Sequence, residues 1–117
     1  MSTNRRVERV SQEILREVNS ILRKEVKDPR VKNITITDVD LTGDLQNATI
    51  YYSTLSDSQS EHEKVQKGLD KVSGLVRSLL GQRLRIYKTP EVVFKRDESI
   101  EYGQRIDQLL AQLNKED

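Results

Sequence analysis

The chain has 117 residues, 34% hydrophobic, 33% charged and 4% aromatic, with no Cys and no Trp; that length suits one domain with an aliphatic core and not two. Disulfides, thiol nucleophiles and Cys-ligated zinc are excluded, and no run approaches the roughly 18 apolar residues that cross a bilayer. The net charge of +1 conceals an asymmetry: residues 64–96 hold nine Lys/Arg against two Asp/Glu, whereas 31–63 hold one against six and 97–117 two against six.

The start, Met1 to Arg6, runs into a charged periodic segment rather than an apolar one, so no signal peptide is read there and a cytoplasmic protein is expected. Val7, Val10, Ile14, Val18, Ile21 and Leu22 recur at spacings of three and four, predicting an amphipathic helix over about 5–26. Asp28-Pro29 ends it, because the residue before Pro is pushed out of the helical region. A β-branched strand follows from Ile34. Its alternation slips: Ile34 and Ile36 share one parity, Val39 and Leu41 the other, so a β-bulge near Thr37-Asp38 is predicted. Gly43-Asp44 is a turn, and Ala48, Ile50 and Tyr52 mark the second strand of an antiparallel hairpin, with Tyr52 on the core side.

Ser58-x-x-Glu61 and Ser60-x-x-Glu63 both fit a capping box opening the next helix. Val65, Leu69, Val72, Val76, Leu79 and Leu80 trace its stripe. Ser73-Gly74 lies inside it, and an interior Gly costs about 1 kcal/mol relative to Ala, so a kink or a break into two helices is predicted. Glu91 to Arg96 reads as a third strand preceded by Pro90. Ile100, Ile106, Leu109, Leu110 and Leu113 predict a C-terminal helix over about 98–114 with an acidic first turn. The expected architecture is α+β, in the order α-β-β-α-(kink)-α-β-α, with helices on one face of a three-stranded sheet. The whole of 1–117 reads as a single domain with its core at about 5–96.

That order resembles a type II KH domain, an RNA-binding fold, and the residues resemble the bacterial ribosome-binding factor A family. The resemblance runs from Arg5 to about Leu113. It rests on Arg6-Val7, Lys27-Asp28-Pro29-Arg30, Ile34 to Val39, Asp44-Leu45-x-x-Ala48, Leu69 with Ser73-Gly74-x-x-Arg77, Leu84-Arg85, Pro90-Glu91-Val92-x-Phe94 and Asp97-x-Ser99. It implies a non-catalytic factor that binds the free 30S subunit and assists late maturation and 5′-end processing of 16S rRNA, including at low temperature. It further implies partners in 16S rRNA and small-subunit ribosomal proteins, with no cofactor, no metal and no membrane, and a monomeric protein is expected. Most KH domains carry a Gly-x-x-Gly loop. This chain has none, and Val72-Ser73-Gly74 stands where the family has Ala-x-Gly.

The candidate RNA-binding residues are Lys64, Lys67 and Lys71 along one helix side, Ser73 and Gly74 at the kink, Arg77, Arg83, Arg85 and Lys88 beyond it, and a second cluster of Arg5, Arg6 and Arg9. A solvated basic face is the plainer alternative. Tyr51 and Tyr87 are further candidates for stacking on bases. A single-strand KH reader and a small protein-binding adaptor are the competing functions. His62, between Glu61 and Glu63, reads as a surface residue. Asp38 and Asp40 lack a catalytic or metal-ligand partner, and no nucleotide-binding fingerprint is present.

Overall fold

The computed structural model describes residues 5–56, 58–86 and 88–98. Helix α1 spans Arg5–Lys24 and buries Val10, Ile14, Val18, Ile21 and Leu22, the predicted stripe. It closes two residues earlier than expected, with the Glu25 and Val26 amides both donating to the Ile21 carbonyl. Asp28 then caps a 3-10 turn, Pro29–Val31, by accepting the Arg30 amide at 3.0 Å. The Arg30 guanidinium also grips this carboxylate at 2.6 Å. Those hydrogen bonds, the side-chain one first, lower the Asp28 carboxyl from its ordinary 3.8 to about 2.

Strands β1 (Ile34–Leu41) and β2 (Asn47–Thr54) pair antiparallel. The register shifts at the predicted place: Ile36 faces Tyr52 and Asp38 faces Tyr51, leaving Thr37 unpaired. The extra residue turns Ile36, Val39 and Leu41 to one buried side. The Thr37 hydroxyl is tied to Asp97 Oδ2 at 2.8 Å, so the bulge is fastened to the chain leaving the third strand. That strand, β3 (Glu91–Arg96), runs parallel to β2, giving the order β1-β2-β3. A parallel neighbour requires a crossover, and helix α2 (Gln59–Arg83) is that crossover. Ile36, Val39, Leu41, Ala48, Ile50, Tyr52 and Phe94 line the covered face, under both helices. Tyr52 lies in the core as expected. Its hydroxyl donates to Gln66 Oε1 at 2.5 Å, and Gln66 Nε2 donates to the Phe94 carbonyl, which locks α2 to the sheet. The α+β layering is the one the sequence predicts.

Three expectations are corrected. Helix α2 is one unbroken element of 25 residues, so the break at Ser73-Gly74 does not form. Val65 and Leu69 before the glycine and Val76 and Leu80 after it stay in phase on one side, and their packing outweighs the propensity cost of a single Gly. The capping box is also missing. Ser58 is the N-cap, but its hydroxyl meets the Ser60 hydroxyl at 2.9 Å rather than a helix amide. His62 is 8% exposed, not a surface residue: it lies in phase with Val65 and Leu69, and Nε2 sits 2.6 Å from the Ser56 carbonyl oxygen. The expected C-terminal helix, Ser99 and Tyr87 lie outside the described residues.

Two glycines of α2 give opposite expectations. A Cβ at Gly74 would meet nothing within 4 Å, so Gly74→Ala should raise stability by about 0.5–1 kcal/mol. A Cβ at Gly68 would stand 3.0 Å from Val31 Cγ1 and 3.2 Å from Arg30 Cβ, so Gly68→Ala should forfeit that gain and melt lower than Gly74→Ala. Paired circular dichroism melts decide it. Loss of stability in Gly74→Ala would mean that the helix needs glycine there.

Candidate nucleic-acid interface

Helical geometry of 3.6 residues per turn puts Lys64, Lys67, Lys71, Gly74 and Ser78 on the side of α2 opposite Leu69, Val76 and Leu80. All five are exposed. Lys64 lies 3.5 Å from Glu61, an exposed pair of little energetic weight. Lys67 and Lys71 form no ion pair among the described residues. Ser73 is half-buried and spends its hydroxyl on the Asp70 carbonyl at 2.8 Å.

The structure divides the remaining cations. Arg77 Nε and Nη2 donate to the carbonyls of Pro90 and Thr89, both at 3.2 Å, and the guanidinium reaches Glu91 at 3.4 Å. Arg83 pairs with Glu17 at 3.1 Å and Glu25 at 3.5 Å, tying α2 to α1. Both guanidiniums therefore brace the fold. Arg85 and Lys88 are exposed beyond the helix, as are Arg5, Arg6 and Arg9 in the first turns of α1.

Lys88 connects the clusters. It lines a cleft with Gly74, Arg77, Ser78, Gly81 and Thr89, and on its other side a notch with Arg6, Asp44, Leu45, Gln46 and Ile86. Lys88 thus stands between a cleft along α2 and a notch beside the first turn of α1, and makes one basic corner of the two. Sequence spacing carries no signal of that meeting, since it is made by the fold. The sequence reading also missed Asp44 as a member of this corner; its only local mark is the turn signal that it shares with Gly43.

A larger concavity lies on the uncovered sheet face, lined by Asp38, Asp40, Tyr51, Lys95, Arg96, Asp97 and Glu98 among others. Asp38 and Asp40 point to this open side, as their strand parity implies. Among the described residues no group of three or more His, Cys, Asp or Glu is placed to hold a metal ion, and no helix is long and apolar enough to cross a membrane.

Fold and surface together define a class: a small α+β domain that presents a cationic helix face. The family model for ribosome-binding factor A matches residues 6–110, and the chain belongs to that family. Ribosome-binding factor A of Enterococcus faecalis is 64% identical over 111 residues, covering 95% of this chain and 96% of its own. The crystal structure of ribosome-binding factor A from Thermus thermophilus shares the fold, with a TM-score of 0.65 at 17% identity, over 76% of this chain and 93% of that one. A homology model of a Thermus thermophilus ribosome binding factor A, fitted into the cryo-EM map of a 30S complex, superposes with a TM-score of 0.61 at 17% identity, over 75% and 91% of the two chains.

Proposed function

We propose that the chain binds the free small ribosomal subunit and assists late maturation and 5′-end processing of 16S rRNA, including at low temperature. Family membership supports the ribosome as target. The observation that carries the mode of binding is the outward row of α2, where Lys67 and Lys71 stand exposed and close no ion pair among the described residues, although the charge of Lys71 reaches Asp28. Lysines held this way meet phosphates as point charges and position the protein without reading sequence. Lys64, Arg85 and Lys88 extend the row, and Arg5, Arg6 and Arg9 add a second bank across the corner that Lys88 shares. Arg77 and Arg83 contribute indirectly, by holding the approach to β3 and the seat of α1. Gly74 keeps the middle of the row low, so that an RNA strand can approach the helix, while Ser73 lies off the row with its hydroxyl on the Asp70 carbonyl.

The factor works by binding and not by catalysis. Contacts made to one rRNA conformation and not to its rivals shift the population toward that conformation, by no more than the difference in binding free energy. Ribosomal proteins beside the contacted rRNA are further partners, and the protein acts as a cytoplasmic monomer.

Sucrose-gradient fractionation of a lysate tests this reading. The protein is expected to sediment with free small subunits and to be depleted from large subunits and whole ribosomes. Retention at the top of the gradient at low salt would contradict it.

A further inference from the structure

The loop joining β1 to β2 holds the one non-glycine residue with positive φ among the described residues, Leu45 at 61°. That left-handed backbone brings Cβ close to the following carbonyl and is disfavoured for any residue that bears one, and Gly43, suited to such a conformation, does not adopt it. Strain of this kind persists where the surroundings hold it, and it gathers at binding sites. Here the Leu45 amide donates to the Thr42 carbonyl at 2.8 Å, and its side chain packs on the edge of the core. Asp44 Oδ1 accepts twice, from the Thr42 hydroxyl at 2.6 Å and the Gln46 amide at 3.0 Å. These bonds, the hydroxyl one first, and the charge of Lys88 hold the Asp44 carboxyl below the usual carboxylate range. No side chain among the described residues donates to its other oxygen, Oδ2.

Closing the loop accounts for Oδ1. It does not account for the strained Leu45, for Lys88, whose charge bears on Asp44, or for Arg6, which lines the same notch. Arg6, Asp44, Leu45, Gln46, Ile86 and Lys88 line a notch of about 310 Å³, near the lower end of the roughly 300–1,000 Å³ typical of small-ligand sites. Leu45 and Ile86 offer an apolar floor for a flat ring. Asp44 offers an ionised acceptor, and neither Arg6 nor Lys88 closes on it as an ion pair. Both cations stay available at the rim for phosphates on either side of an inserted base. Among the RNA bases, guanine alone carries two adjacent N–H donors, N1 and N2, on its pairing edge, which a carboxylate complements.

We infer that this notch takes an unpaired guanine of an RNA strand, with Asp44 accepting from its N1–H and N2–H edge and Arg6 and Lys88 on the flanking phosphates. The site rests on the RNA-binding reading above and adds base selection to it, since the lysine row reads only backbone charge.

Fluorescence anisotropy of the full chain with uridine dodecamers carrying one central guanosine, inosine, adenosine or cytidine tests it. The guanosine strand should bind about tenfold more tightly than the adenosine and cytidine strands, because both of its N–H donors can converge on Asp44 Oδ2, with inosine in between because it lacks the N2 amine. Asp44→Asn keeps an oxygen for Thr42 and Gln46, so the loop should stay closed; the variant should lose the preference while its salt dependence stays that of the parent. Lys88→Gln should weaken all four strands alike and keep the preference. Equal binding of all four by the parent would overturn the notch and leave the phosphate contacts standing, as would a guanosine preference that survives in Asp44→Asn. Failure to bind any of the four also overturns it, and sedimentation with small subunits then shows separately whether the wider reading falls too.

Discussion

Replacing Lys67, Lys71 and Lys88 together by Glu is expected to weaken binding to purified small subunits about 100-fold near 0.1 M salt, because each phosphate contact carries about 0.7–0.9 of the logarithmic salt slope and three carry about 2. Repulsion from the new carboxylates adds to that loss. The three lysines are exposed and form no ion pair among the described residues, so the melting curve should hold, each change staying within about 0.5 kcal/mol. Arg77 does not belong in such a variant. A glutamate there would set a carboxylate beside the Thr89 and Pro90 carbonyls and near Glu91, and weaker binding would then report a loosened β3. Pelleting with small subunits and a melt of the same preparation check the result. Normal folding with undiminished binding would make the lysine row a solubilising face.

Leu69→Ala should do the reverse on the same helix. Leu69 is 0% exposed, packed among the residues that join α2 to the sheet and to α1. Truncating it removes buried methyl groups and leaves a cavity, which costs about 2–5 kcal/mol. A small domain has only about 5–15 kcal/mol in all, so the melting temperature should fall by about 10 °C or more. The fraction still folded should bind small subunits as the parent does, because the lysines face the other way. A loss below about 1 kcal/mol in urea unfolding would show that the site collapses around the smaller side chain.

What could be read from the residues was whatever depends on near neighbours in sequence. The stripe of α1 is local, and so is the parity slip between Ile36 and Val39, which located the bulge because one inserted residue is the only way to return both sets to one face. The lysine row was legible for the same reason, since Lys64, Lys67 and Lys71 lie on one helix. Errors arose where local and tertiary forces disagree. Gly74 weakens a helix in isolation, yet packing on both sides of it carries the helix through. His62 has charged neighbours, but its phase with Val65 and Leu69 buries it. The capping box met its spacing and lost to a contact between two serine hydroxyls. The division of the cations was not legible at all. Arg83 looks equal to Lys71 in sequence, and only the approach of Glu17 on α1 and Glu25 just past its end shows it engaged. Arg6 and Lys88 lie near opposite ends of the described chain and meet only because β3 returns beside β2.

Binding of the unmodified chain to purified small subunits across a salt series is the most direct measurement of how it holds its target. With Lys64, Lys67, Lys71 and Lys88 on phosphates, log affinity should fall linearly with log salt, with a slope of about 3 or steeper, and the Lys67, Lys71 and Lys88 triple variant should lose about 2 of it. An affinity that stays flat as salt rises, the same in parent and variant, would contradict electrostatic rRNA binding and point to an apolar contact with ribosomal protein.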